Sequence, residues 1–186
     1  MTENFDNDRR ATLPPPYGPG DVFYRHRYAH LRDHYLQTDP TIWEKIEAQA
    51  AQFAIVARTY IEPAMQDVAA EASRQGWYPS IVYDDPHSVT KHTTPGISLV
   101  LARTRFFTLG PSEESFGAVI RWYGDIKEEH IQARANPDFT NPVVRPIELG
   151  FPLEYADVSN GRFKAAMIQM IGFWNESLDY KQRLPK

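Results

Sequence analysis

The sequence predicts an α+β fold: an antiparallel sheet of four to five strands packed on a long helix, with an additional N-terminal helix and a C-terminal helix. Three observations predict it. Apolar residues keep helical time without interruption from Thr41 to Gln75, the period changes to alternation after Gly76, and a helical stripe returns after Ser159. The chain has 186 residues, 42% hydrophobic and 24% charged, which matches one ordinary soluble domain rather than a disordered or fibrous chain.

Residues 1–20 are polar and then rich in proline and glycine (LPPPYGPG), too poor in apolar surface to offset their ordering entropy. They are read as a flexible arm, and residues 21–186 as a single domain. Asp21 can cap a first helix, along which Tyr24, Tyr28, Leu31 and Tyr35 form a stripe suited to packing on the long helix. His26, His30 and His34 share the neighbouring face with Arg25, Arg27 and Arg32. Histidines at that spacing can share a metal, but the arginines oppose a cation, so the face is read as solvated or partner-facing.

Asp39 and Pro40 restart the helix, the first as a cap and the second in a first turn where its missing N–H costs nothing. Ile42, Ile46, Ala50, Phe53, Ala57, Tyr60, Ala64, Val68 and Ala72 make the apolar stripe. Pro63 interrupts its hydrogen bonding and predicts a kink near Thr59 to Pro63, and Gly76 sits where a left-handed residue closes a helix.

Strands follow at Tyr78–Tyr83, Ile97–Phe107 and Phe116–Tyr123. In the last of these Phe116, Ala118, Ile120 and Trp122 fall on one face. Gly124-Asp125 predicts a tight turn into a fourth strand, Ile126–Arg134, and four prolines from Pro137 to Pro152 leave room only for an edge strand near Val143–Leu149. No helix-sized crossover separates these strands, so a meander is expected. Ser159 or Asn160 caps the last helix, whose stripe is Phe163, Met167, Met170, Ile171, Trp174 and Leu178.

Composition narrows the chemistry. The chain has no cysteine, which removes disulfides, thiolate metal sites and cysteine nucleophiles and agrees with a reducing, cytoplasmic setting. No stretch approaches the ~20 apolar residues of a membrane span, and no apolar run marks a signal peptide, so no membrane association is expected. A formal charge of −4 gives no general attraction to polyanions. Phosphate-binding glycine loops, nucleophile elbows and helical zinc motifs are missing, and no cofactor is expected.

Two regions carry candidate chemistry. Asp84, Asp85, His87 and His92 lie in a dense polar run, DDPHSVTKHTTPG, which has the donors for a metal-dependent hydrolase but also the composition of an ordinary hairpin loop. In Lys127-Glu128-Glu129-His130, Glu128 and His130 are expected on one face of a strand. The second region is the sheet, where Arg103, Arg105, Arg121, Arg134 and Arg145 stand among Phe106, Phe107, Trp122 and Tyr123. Arginine beside aromatics suits either a protein interface or single-stranded nucleic acid. Between Trp77 and Ala156 acidic residues outnumber basic ones, which favours the protein.

The chain is therefore read as a non-enzymatic partner-binding protein of the adaptor, inhibitor, immunity-factor or chaperone type. Its expected contacts are Arg103, Arg105, Arg121, Trp122, Tyr123 and Arg134 on the sheet and Arg25 and Arg32 on the first helix. Another protein is the expected partner, nucleic acid is the alternative, and a homodimer is compatible with the same face.

Overall fold

The computed structural model describes residues 20–87, 89–102, 117–137, 147–148 and 152–182, with side chains left out for 20–27, 147–148 and 173–182. The arm, Arg103, Arg105, Phe106, Phe107 and Arg145 lie outside the described residues, as do the side chains of Tyr24, Arg25, Trp174 and Leu178.

Helix α1 spans Gly20–Thr38 and α2 Pro40–Val56. Asp39 separates them as expected, its Oδ1 accepting the Thr41 N–H at 3.2 Å. A π-helical turn, Ala57–Ile61, joins α2 to α3, Glu62–Arg74, so that one helical rod runs 35 residues. The disturbance expected at Thr59 to Pro63 thus takes the form of a widened turn, in which the Glu62 N–H reaches back five residues to the Ala57 carbonyl. Pro63 has no N–H to give, and its ring would crowd the Thr59 carbonyl in a regular turn. Gly76, at φ +84°, closes α3, with its N–H on Ser73 and that of Trp77 on Ala72.

The strands are β1 Tyr78–Tyr83, β2 Ile97–Ala102, β3 Gly117–Asp125, β4 His130–Asn136, β5 Ile147–Glu148 and β6 Leu153–Glu154. All pairings are antiparallel in the order β1-β2-β3-β4-β5, and β6 also pairs with β4. The meander is as expected, with its last edge divided into two short pieces. One turn falls later than expected. Gly124 and Asp125 belong to β3, and the chain reverses at 126–129, where Glu129 takes φ +55° and Asp125 Oδ1 accepts the Lys127 and Glu128 N–H groups at 2.9 and 3.0 Å. Gly124 is needed inside the strand, because a Cβ there would stand 2.5 Å from Tyr155 Oη and 2.9 Å from the Thr94 methyl.

Helix α4, Asn160–Gln182, starts with Ser159 Oγ accepting the Arg162 N–H at 3.3 Å. The helices cover one sheet face. Phe53, Ile61, Met65 and Val68 of the rod and Phe163, Met167 and Met170 of α4 bury Ile97, Leu99, Leu101, Ile120, Trp122 and Ile131. A smaller core of Trp43, Ile46, Val89 and Ile126 receives Tyr28 and Tyr35 from α1. Trp43 holds the core position at the start of α2, edge-on to Tyr28, while Ile42, the expected member of the stripe, is 41% exposed. No helix among the described residues is long and apolar enough to cross a membrane.

Candidate functional site

Alternation along β3 decides what reaches the sheet face turned away from the helices. Ala118, Ile120 and Trp122 turn to the helices, so Val119, Arg121 and Tyr123 turn away. Register places Arg121 opposite Arg134, Tyr123 opposite Gln132 and Asp125 opposite His130. The structure thus brings Arg121, Tyr123 and Arg134 together, with guanidinium carbons 5.0 and 5.7 Å from the Tyr123 ring centre. Tyr123 Oη donates to Gln132 Oε1 at 3.2 Å, so the Gln132 amide donates in turn to His130 Nε2 at 2.7 Å.

Asp84 closes the other side. It extends the β1 ladder by one bond to the Gly96 carbonyl, and its Oδ2 accepts the Gly96 N–H at 2.8 Å, Arg121 Nε at 3.0 Å and Arg121 Nη2. The pair is substantially withdrawn from water, with side chains 13% and 31% exposed. Gly96 makes the approach feasible, since a Cβ would lie 2.5 Å from the Trp122 carbonyl. Asp84 therefore neutralises the Arg121 guanidinium.

Trp122 does not belong to this face. Its indole is 1% exposed and packs edge-on against Phe163 at 4.9 Å, which corrects its expected place among the contact residues. Arg32 is exposed on α1, near Asp33 at 3.5 Å, and α1 packs on α2 rather than on the sheet arginines.

Beyond Asp84, several side chains of the polar run 84–96 are spent on its own and neighbouring backbone. Asp85 Oδ1 accepts the His87 N–H at 2.7 Å, and Thr90 Oγ1 accepts those of His92 and Thr93 at 3.1 and 2.9 Å. Thr94, fully buried, accepts the Gly124 N–H at 2.8 Å and donates to the Pro95 carbonyl. His87 lies 5.0 Å from Tyr28 and His92 is exposed. Among the described residues no three His, Asp or Glu side chains come together as a metal ion requires, so the candidates Asp84, Asp85, His87 and His92 are not gathered into a ligand set. Glu128 lies in the turn and not on a strand face with His130; Lys45 pairs with its neighbour Glu129.

No protein-family model, no curated protein and no solved structure matches this chain. What the site can do must come from its own geometry.

Two participants escaped the sequence. Gln132 was detectable, because His130, Gln132 and Arg134 alternate onto one face. Tyr155, in a 3₁₀ turn at Tyr155–Asp157, gave no signal; its buried Oη stands against Gly124 with no hydrogen-bond partner among the described residues. Burial, and then the Asp125 carboxylate, push the Tyr155 phenol above its ordinary 10.0. The folded chain holds that proton more tightly than the unfolded one, so the contribution is whole below pH 10.0 and is lost as pH rises beyond it. Tyr155→Phe is expected to remove this alkaline loss and to leave neutral stability unchanged or raised by up to about 1 kcal/mol, since it deletes a buried unsatisfied hydroxyl. Urea denaturation of both chains at neutral and strongly alkaline pH measures the difference; an equal alkaline loss in both would contradict it.

Proposed function

We propose that this chain is a non-enzymatic, cytoplasmic partner-binding protein of the adaptor or inhibitor kind, and that it recognises another protein through the sheet face turned away from the helices. The observation that carries the reading is the ordered Arg121–Tyr123–Arg134 cluster on the side of the sheet away from the helices. Arginine held against tyrosine loses little side-chain freedom on binding, and these residue types dominate interface energetics. Arg134 is exposed, and its guanidinium is a planar, permanently charged group of the kind that interfaces favour.

The same geometry favours protein over nucleic acid. Asp84 neutralises Arg121, and Tyr123 is only 3% exposed, which leaves its ring little surface on which a base could stack.

Arg134→Glu is expected to weaken binding of the specific partner by roughly tenfold or more while the fold is retained. Affinity capture with both chains, followed by titration of the partner found, gives the comparison. A partner bound equally by both removes the sheet face from the proposal. Binding to single-stranded DNA that falls steeply with salt would replace the protein reading with the nucleic-acid one.

A further inference from the structure

We infer that the outer edge of β1 is a second docking surface, which takes an extended segment of a protein partner as an added strand of the sheet. This surface is separate from the arginine–tyrosine face. The sheet treats its two edges differently: β5 and β6 pair along β4, whereas among the described residues β1 has β2 as its only strand partner.

The phase of the β1–β2 ladder fixes what the edge offers. The Asp84 N–H bonds to the Gly96 carbonyl at 2.9 Å, and the register is regular from Tyr83–Ile97 to Tyr78–Ala102. In an antiparallel pair bonded residues alternate, so Tyr78, Ser80 and Val82 bond to β2, and the main-chain groups of Pro79 and Ile81 point out of the sheet. Ile81 presents an N–H and a carbonyl, and Pro79 a carbonyl. Edges are commonly guarded by charge, by a bulge or by proline, and of these β1 has only Pro79, which withdraws a single donor. The sequence YPSIVY carries no charge and its register shows no bulge, and Tyr78 and Ser80 are exposed beside the open groups.

Pro79 selects the occupant. A second copy paired antiparallel about Ile81 would place the two Pro79 residues in the ladder, each removing one donor, and a six-residue edge alone falls well short of the ~1,600 Å² of a standard stable interface. A foreign strand meets Pro79 once, satisfies both Ile81 groups and the Pro79 carbonyl, and is free to continue over further surface. Its chemistry follows from its neighbours: uncharged β-branched or aromatic residues opposite half-buried Ile81, and aromatic or hydroxyl residues beside Tyr78 and Ser80.

The test pans a phage-displayed library of random peptides on the full chain and follows amide hydrogen exchange at Ile81 by NMR. Two variants alter the edge. Ile81→Pro removes the outward N–H and spares the β2 ladder, and Ser80→Lys adds a charge at an exposed position without changing the backbone. Enriched peptides are expected to slow exchange at Ile81 and to bind both variants about tenfold or more weakly, while Arg134→Glu leaves them bound. The inference is overturned by failure to enrich any peptide, by equal binding to Ser80→Lys, or by an Ile81 amide already protected in the free chain. Protection that grows with protein concentration would assign the edge to a second copy instead.

Discussion

Trp122→Ala is expected to destabilise the chain by about 3–5 kcal/mol, the range for truncating a large aromatic in a closed core. The indole is 1% exposed, its ring lies 4.9 Å from Phe163 at 88°, and its neighbours on the same face include Ile120 and, across the sheet, Ala133. Ala133 and Ala135 are too small to move into the space left behind, so much of the cavity should persist. Trp122→Phe separates packing from polarity. It keeps an aromatic against Phe163 and removes Nε1, a buried donor that has no hydrogen-bond partner among the described residues, so its cost should be well under half that of alanine. Guanidinium denaturation of the three chains gives the comparison, and an alanine variant within about 1 kcal/mol of the parent would place the indole outside the core.

Asp84→Ala should cost about 2–4 kcal/mol, for a different reason. One carboxylate oxygen serves the Gly96 N–H and two donors of Arg121, so its removal leaves a buried main-chain N–H and a half-withdrawn cation without that acceptor. Arg121 is 31% exposed, which places the cost toward the lower part of the range for buried pairs. Arg121→Ala should cost less than Asp84→Ala, because the Gly96 bond survives it. The double variant should fall short of the sum of the singles by about 1–2 kcal/mol. Arg121→Lys should recover little, since an ammonium cannot present the guanidinium fork. Additive single and double effects in urea denaturation would show that the two side chains do not act together.

The secondary structure was legible because each element repeats its own period. The ladder order was legible too, since short connections leave few alternatives to a meander. Trp122 shows which sequence signal was the better guide: its alternation with Ala118 and Ile120 pointed to the core, while its residue type pointed to an interface. The Asp84–Arg121 link was not legible, because it joins positions 37 residues apart through two strand registers. The late turn at 126–129 was hidden for a related reason. Gly124 reads locally as a turn residue, but it is glycine to admit Thr94 and Tyr155, neither of which is its neighbour in the chain. Local propensity yielded there to a tertiary contact.

The widened turn at Ala57–Ile61 also works as a phase adjuster. Each residue of an α-helix turns the next by about 100°, so the number of residues between Val56 and Glu62 determines which side of α3 meets the sheet. Regularising this turn at unchanged length would over-rotate everything after it, swing Met65 and Val68 off the core and bring Glu71 toward it. The wider winding of these five residues therefore sets the aim of α3, and two of them, Ala57 and Ile61, are at the same time part of the core it aims at.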